Sequence, residues 1–231
     1  MSQNQQDSPI ASLNALREAN VAAAVDHRRR HCNLKNPPWD IPVEVCSILA
    51  ANAILNLPPR YHWRLEHYPV EWQQDALAFF ADKECWSLYM HGNVGTRKTS
   101  FAVAMLVAWK QTCPWKVREP YSVKAAKGVF LPPDEVAATL RDFERGKEAL
   151  REWQEADMVV LDDIGASRST PHIIEQLLYL LEKRYDWGRK TIITSNLDLD
   201  ELAEYLNRRV SSRLQEGMLL DLGEVDARVA E

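Results

Sequence analysis

The segment GNVGTRKT, residues 92–99, has the residue types and most of the spacing of a loop that binds nucleotide phosphates. In such a loop, backbone N–H groups and the start of the following helix face the phosphates. Lys98 is then placed to reach the β- and γ-phosphates, and the Thr99 hydroxyl to bind Mg²⁺. The pattern requires glycine immediately before the lysine, and this chain has Arg97 there. A glycine-containing turn that leaves Lys98 in solvent is the alternative interpretation.

Two apolar runs end in polar side chains that suit the same chemistry. The run VVLDDIG places Asp162 and Asp163 at a strand end, where parallel sheets present ligand groups. Asp162 suits Mg²⁺, directly or through water, and Asp163 is placed to polarise an attacking water. The run TIITSN ends in Asn196, whose amide suits a γ-phosphate or the water beside it. Simpler roles remain open, namely a strand-end turn for the aspartates and helix capping for Asn196.

The segment RRVSSRL adds two arginines four residues apart, Arg209 and Arg213. On a helix they share one face, beside an apolar stripe of Val210 and Leu214. A pair of guanidinium groups on one side suits a phosphate from a neighbouring subunit, the arrangement called an arginine finger. A solvated basic face is the alternative. We predict the finger role for Arg213, because the three other motifs precede it in chain order.

These side chains need a scaffold, and the apolar pattern after Pro69 supplies one. Hydrophobic residues make up 46% of the 231-residue chain, which supports a packed core. Short apolar strands alternate with helical segments, which predicts an α/β fold with a parallel sheet covered on both faces. The predicted strands are CWSLYMHG, KGVFLP, DMVVLDD and KTIITSN. The predicted helices are VEWQQDALAFFADK, SFAVAMLVAWK, DEVAATLRDFERGKEALREW, PHIIEQLLYLLEKRY, DLDELAEYL and RRVSSRL.

Together these motifs resemble the AAA+ ATPases of the DnaC-type helicase loaders and the closely similar IstB-type transposition ATPases. The resemblance covers residues 61–222, with GNVGTRKT as Walker A, VVLDDIG as Walker B, the segment around Asn196 as sensor 1, and RRVSSRL as the arginine-finger box. It implies a P-loop fold of three layers around a five-stranded parallel sheet, one strand more than the apolar pattern shows. It also implies the absence of a C-terminal lid domain, because GMLLDLGEVDARVAE is too short for one.

The resemblance further implies a site for ATP and Mg²⁺. Thr99 and Asp162 would hold the metal, while Asp163, Asn196 and Arg213 would take part in hydrolysis, Arg213 from a neighbouring subunit. The nucleotide would be bound by Gly92, Asn93, Val94, Gly95, Thr96, Arg97, Lys98, Thr99 and Ser100. Arg97 departs from the pattern, because the chain passes so close to the phosphates that a side chain there must turn away or clash. We therefore expect impaired nucleotide turnover.

The first 60 residues have a different sequence pattern from the rest of the chain. Alanine-rich helical segments and proline-rich breaks predict a helical arm, residues 1–60, that binds a partner protein, followed by the ATPase domain, residues 61–231. An extension folded onto its own core is the alternative. The spacing of His27, His31, Cys32 and Cys46 fits no zinc-binding pattern well. The basic run at residues 28–31 suits nucleic-acid phosphate, or simply solvent.

The overall composition limits where such a protein works. A net charge of −5 excludes a globally basic nucleic-acid binder but leaves a local basic face open. No apolar run approaches the roughly 18 residues of a membrane span, and the first residues lack the pattern of a signal peptide. The four cysteines are scattered and suit reduced thiols. These features predict a cytoplasmic protein without a membrane partner.

The leading functional hypothesis is an ATP-dependent DNA-replication accessory protein that loads a replicative helicase onto single-stranded DNA. Nucleotide would control the assembly of a homo-oligomer. One alternative is a transposition accessory ATPase of the IstB type. Another is a non-hydrolysing AAA+ adaptor, in which Arg97 disables the motor and the fold serves only for binding.

Overall fold

The computed structural model of the chain describes residues 57, 64–112, 115–118, 122–166 and 169–223. A short 3₁₀ turn, Leu65–His67, precedes the first helix. The helices are α1 (Val70–Ala81), α2 (Lys98–Thr112), α3 (Pro133–Arg141), α4 (Phe143–Glu155), α5 (Pro171–Asp186), α6 (Leu199–Tyr205) and α7 (Arg208–Gln215). The strands are β1 (Ser87–His91), β2 (Trp115–Arg118), β3 (Ser122–Ala125), β4 (Gly128–Leu131), β5 (Met158–Ile164), β6 (Lys190–Ser195) and β7 (Met218–Asp221).

Five of the strands form one sheet in the order β4-β5-β6-β1-β7. Each neighbouring pair in it is parallel. The predicted parallel sheet is therefore confirmed, with β7 as the fifth strand that the family resemblance implied. The apolar pattern missed β7 because its residues alternate between half-buried and exposed positions, as suits a short edge strand.

Apolar side chains pack on both faces of the sheet and make the predicted three layers. Strand β1 shows how: Leu88 and Met90 face the layer of α1 and α2, whereas Tyr89 faces the layer built by α3 to α7. This alternation follows from the two-residue period of a strand. Helix α2 is buried along most of its length, including Phe101 and Leu106. The helix that follows the phosphate loop is thus fixed against the centre of the sheet.

Two local features differ from the sequence interpretation. The segment predicted as one helix between β4 and β5 is two helices, because Asp142 leaves the helical conformation and its carboxylate accepts a hydrogen bond from the N–H of Arg145. An aspartate is among the best N-terminal caps, which explains the new start at Phe143. Strands β2 and β3 form a separate antiparallel pair between α2 and β4 that the sequence interpretation did not contain.

Arg184 joins α4, α5 and β6 inside the layer built by α3 to α7. Its side chain is fully buried and donates to the carbonyl oxygens of Trp153, Ala156 and Lys190 and to the Thr191 hydroxyl, at 2.6–2.9 Å. Burial lowers the pKa of Arg184 to about 9, which keeps the guanidinium charged at neutral pH. One cation on α5 thereby satisfies carbonyl groups at the end of α4 and at the start of β6.

None of the helices in the described part of the chain is long and apolar enough to cross a membrane. The predicted arm lies outside the described residues except for Leu57, which is buried in the core beside α1 and α2. The four histidine and cysteine residues weighed as zinc ligands also lie outside them. Residues 64–112, 115–118, 122–166 and 169–223 contain no cluster of metal-binding side chains of the histidine, cysteine and carboxylate kind.

Candidate nucleotide-binding site

The order of the strands brings three of the predicted motifs together at the carboxyl ends of the strands. The loop at residues 92–97 follows β1, the two aspartates lie near the end of β5, and Asn196 directly follows β6. Because β6 lies between β1 and β5, Asn196 is placed between the loop and the aspartates. Ligands of open parallel sheets bind outside these carboxyl ends. The arrangement is a candidate nucleotide site.

Lys98 begins helix α2, and its ammonium group folds back onto the loop. It donates to the carbonyl oxygens of Gly92 and Asn93, both at 2.7 Å, and to the Thr96 hydroxyl at 3.3 Å. The side chain is buried. A lysine in this position is preorganised at the base of the loop, and a triphosphate would compete with carbonyl oxygens for its protons.

The first glycine of the loop has a steric reason to be glycine. Gly92 has φ +144, and a β-carbon there would lie 2.9 Å from the carbonyl oxygen of Gly223. That same oxygen accepts a hydrogen bond from the Asn93 N–H at 3.2 Å. The chain that follows β7 therefore packs directly against the start of the phosphate loop. Val94 at the tip of the loop is 62% exposed.

Arg97, which takes the place of the expected glycine, has φ +67. This left-handed conformation is easy for glycine and strained for a residue with a β-carbon, at a cost of about 1 kcal/mol. Its carbonyl accepts bonds from the Ser100 hydroxyl and the Phe101 N–H, so the backbone is held at the helix start. The side chain is exposed. The loop thus keeps the backbone of a glycine position and turns the arginine outward.

Asp162 links the phosphate loop to β6. Its Oδ1 accepts hydrogen bonds from the Thr99 hydroxyl at 2.8 Å and from the Thr194 hydroxyl at 2.7 Å. Burial raises the pKa of Asp162, and the two hydroxyl bonds and Lys98 act against that rise. The bond between Thr99 and Asp162 places side by side the two oxygen ligands that the sequence assigned to Mg²⁺.

Asp163 faces Asn196 at the outer side of the site. Asn196 Nδ2 donates to Asp163 Oδ1 at 3.1 Å, and the N–H of Asp163 donates to the Thr194 hydroxyl at 2.8 Å. Asp163 has φ +52, an uncommon conformation for a residue other than glycine. Strained backbone of this kind is frequent at functional sites. The amide fixes the orientation of the carboxylate to which the sequence assigned the polarisation of water.

Two supporting residues were not singled out from the sequence. Thr194 bonds to both aspartates through one hydroxyl, although it lies inside the TIITSN run that pointed to Asn196. Tyr89 donates its hydroxyl to the carbonyl oxygen of Leu197 at 2.7 Å and fixes the chain just after Asn196. Burial raises the pKa of Tyr89 to about 12, so the hydroxyl stays a donor. A tyrosine on a buried strand gives no signal of that role in sequence.

Arg213 does not join this cluster. Its carbonyl oxygen accepts a hydrogen bond from the indole of Trp86, which precedes β1, whereas the phosphate loop follows β1 at the other end. The five residues of β1 separate those ends by about 17 Å at the usual rise of a strand. An arginine so placed cannot reach the triphosphate bound by its own loop. If Arg213 contacts nucleotide, the nucleotide belongs to a neighbouring subunit.

The donor set fits the group that the motifs imply. Hard oxygen ligands, here a threonine hydroxyl and a carboxylate, are what Mg²⁺ prefers alongside water and phosphate. The loop's glycines and the start of α2 suit phosphate oxygens. In this chain Thr99 and Asp162 would hold Mg²⁺, which when bound neutralises charge on the phosphates.

A parallel sheet with this loop after β1, paired aspartates on β5 and an amide after β6 defines a P-loop nucleoside triphosphatase domain of the AAA+ class. Residues 73–221 match the family model of the bacterial DnaA ATPase domain. The chain belongs to that family, within the AAA+ proteins that the motifs resemble. No curated protein matches the chain.

Solved structures share this fold at low sequence identity. The DnaC helicase loader is 24% identical over 71% of this chain and 99% of that one, with a TM-score of 0.59. DnaI is 20% identical over 71% and 94%, with a TM-score of 0.56. The replication initiator DnaA, bound to AMPPCP and single-stranded DNA, is 18% identical over 71% of this chain and 50% of that one, with a TM-score of 0.55.

Proposed function

We propose that this chain is an ATP-binding replication accessory protein that loads a ring-shaped replicative helicase onto single-stranded DNA in the cytoplasm. The observation that carries ATP binding is the 2.8 Å hydrogen bond between Thr99 and Asp162, because it joins the phosphate loop and the β5 carboxylate into one site. The fold shared with the solved chain of the DnaC helicase loader, over 99% of that chain, supports the loading role.

In the proposed reaction the chain's own groups divide the work. Lys98 leaves the loop carbonyls and binds the β- and γ-phosphates, while the N–H groups of the loop hold their oxygens. Asp163, oriented by Asn196, accepts the proton of the attacking water. Arg213 of a neighbouring copy neutralises charge on the transferred phosphoryl group. This division requires an oligomer whose assembly depends on nucleotide.

The predicted arm at residues 1–60 supplies the helicase contact in this proposal, and the ATPase domain, residues 61–231, supplies the contact with single-stranded DNA. Segments of the arm whose sequence predicts an apolar helix face, such as EVCSILAANAIL, would suit a groove on a partner protein. The prolines at residues 58–59 mark the boundary that this proposal sets between the arm and the ATPase domain.

The test is calorimetric titration of the full chain with ATP and Mg²⁺, followed by transfer of the host's replicative helicase onto single-stranded DNA. We expect binding that Lys98→Ala abolishes and helicase transfer that needs nucleotide. As a matched control, Lys110→Ala removes another α2 lysine, whose ammonium donates to the Ala126 carbonyl and which lies near the opposite end of the helix from the loop. ATP binding without any helicase transfer would contradict the loading role.

A second function is favoured by one observation, the strained Arg97 in the glycine position. Under this proposal the chain is a AAA+ adaptor that binds nucleotide and partner without turnover. Turnover measured with and without single-stranded DNA separates the two. Hydrolysis stimulated by DNA supports the loader, and binding without hydrolysis supports the adaptor.

A further inference from the structure

The Arg213 side chain is withdrawn into its own subunit. Only 15% of it is exposed, and it lies against the last turn of α5. Its Nη1 is 3.8 Å from Glu182 Oε1, its Nη2 is 3.8 Å from Asp186 Oδ1, and its guanidinium carbon is 4.3 Å from the centre of the Tyr185 ring. We name Glu182, Tyr185 and Asp186 the arginine seat.

The floor of this seat is fixed. The Tyr185 hydroxyl donates to Glu216 Oε2 at 2.8 Å, and its ring meets Trp86 edge-to-face at 5.4 Å between centroids. Trp86 also donates its indole N–H to the carbonyl oxygen of Arg213. The tyrosine ring and the Arg213 backbone are thus held by the same tryptophan. Because the Arg213 backbone is anchored, release from the seat would have to come from rotation of its side chain.

The contacts that hold the guanidinium are weak. Both ion pairs are longer than a hydrogen bond, and Arg213 Nη1 is buried without a hydrogen-bond partner. A buried donor left in this way destabilises the stored position. A phosphate offers the short, charge-assisted bonds that the seat lacks.

Arg209 makes the release of Arg213 less costly. Its Nη1 lies 3.2 Å from the same Glu182 oxygen, and its side chain is 65% exposed. The carboxylate therefore keeps a cationic partner when Arg213 moves away. Without Arg209, departure would leave Glu182 unpaired.

We propose that Glu182, Tyr185 and Asp186 are positioning residues that store Arg213 in the isolated subunit and release it to the triphosphate bound by a second copy of this chain. The inference rests on the proposed function, because it needs a nucleotide in the neighbour. In this proposal, the seat and the neighbour's triphosphate compete for Arg213. Because each assembly contact must remove Arg213 from its seat, the seat raises the protein concentration at which subunits assemble.

The seat itself is tested in the monomer without nucleotide, by the rate at which phenylglyoxal modifies Arg213, measured by peptide mass spectrometry. Exposed Arg145 is the internal reference. Asp186→Asn and Glu182→Gln should each raise the Arg213 rate about threefold, the size expected for one weak ion pair. Tyr185→Phe, which keeps the ring, should change it less than Tyr185→Leu. Glu175→Gln, two turns earlier on α5, is the matched control and should change nothing.

The release step is tested by sedimentation of the full chain with a non-hydrolysable ATP analogue and Mg²⁺. Asp186→Asn should lower the concentration of half-assembly about threefold, while Glu175→Gln leaves it unchanged. An unchanged modification rate, or an assembly concentration that stays the same or rises in Asp186→Asn, overturns the inference. If the parent chain binds no nucleotide, the proposed function and the release step both fail, while the modification rates still judge the seat.

Discussion

At the scale of single residues, two positions in the site lower the stability of the fold itself. Arg97 occupies a left-handed backbone position, and Asp162 holds a carboxylate in a buried environment. Both conditions are common where a protein prepares a site for a ligand, because the ligand later compensates for them. The effect of each residue on stability can be measured with a single substitution.

Arg97→Gly is expected to stabilise the protein by about 1 kcal/mol and to tighten ATP binding, since it removes a β-carbon from a backbone with φ +67. Urea denaturation and calorimetry measure the two effects. Arg97→Ala is the matched control, because it removes the charge but keeps the β-carbon, and it should give no stability gain. Equal effects of glycine and alanine would show that charge, not backbone strain, is the cause.

Asp162→Asn is expected to stabilise the protein without nucleotide by about 1 kcal/mol at neutral pH, while weakening Mg²⁺-dependent ATP binding. Burial raises the pKa of Asp162, so the folded state binds this proton more tightly than the unfolded chain does. The native carboxyl therefore favours folding at low pH, and that contribution is lost as the pH rises through the raised pKa. The advantage of the asparagine should shrink on acidification.

Urea midpoints measured across a pH series check this, with Glu175→Gln as an exposed carboxylate control. A difference between Asp162→Asn and the parent that does not vary with pH would contradict the assigned cause.

At the scale of elements, Arg184 fastens the ends of α4 and α5 to the start of β6. Strand β6 in turn presents Thr194 and Asn196 to the site. The stability of this junction therefore sets how accurately the two polar side chains meet the aspartates of β5.

Arg184→Leu is expected to destabilise the fold by about 3 kcal/mol or more, because several buried carbonyl groups lose their donor at once. Urea denaturation measures the loss. Lys183→Leu, at the preceding and more exposed position of α5, should change stability by no more than about 0.5 kcal/mol. A small effect of Arg184→Leu would mean that water replaces the guanidinium.

The elements also show what sequence can predict here. The buried strands and the amphipathic helix α5 followed from periodicity, and the carboxyl ends of β1, β5 and β6 converged as a parallel sheet requires. Strand β7 and the break at Asp142 were missed, since a half-exposed strand and a single capping residue give weak periodic signals. The β2–β3 pair was missed as well. The hydrogen bonds from the Lys98 ammonium to carbonyl groups of its own loop depend on three-dimensional packing. The spacing of residues in the sequence does not reveal them.

At the scale of the whole molecule, different candidate functional groups lie at the two ends of β1. The phosphate loop lies at one end, and Arg213 in its seat lies at the other. Under the proposed function, a single subunit would contain both halves of a catalytic contact but would direct them to different neighbours. Such a heterologous arrangement builds rings or open helices rather than closed pairs.

Mixing Arg213→Ala with Asp163→Asn is expected to restore part of the hydrolysis that each variant lacks. One variant keeps an intact acidic site, the other an intact arginine, and a mixed assembly brings the two together. Steady-state turnover across mixing ratios measures the recovery, on an Arg97→Gly background if the parent chain is inactive. Failure at every ratio, together with nucleotide binding weakened in monomeric Arg213→Ala, would contradict an action of Arg213 on a neighbour's nucleotide.

The bond between the Asn93 N–H and the Gly223 carbonyl has a mechanical consequence. Strand β7 pairs with β1, and Gly223 contacts the loop. A force applied to the chain at Gly223 would therefore be transmitted to the first residues of the phosphate loop. We therefore expect a protein docked there, or a bulky fused domain held close to Gly223, to disturb the Asn93 N–H at the start of the loop and so to change nucleotide affinity. A fusion at that side of the chain should therefore alter measured ATP affinity, whereas the same fusion at the amino-terminal side should not.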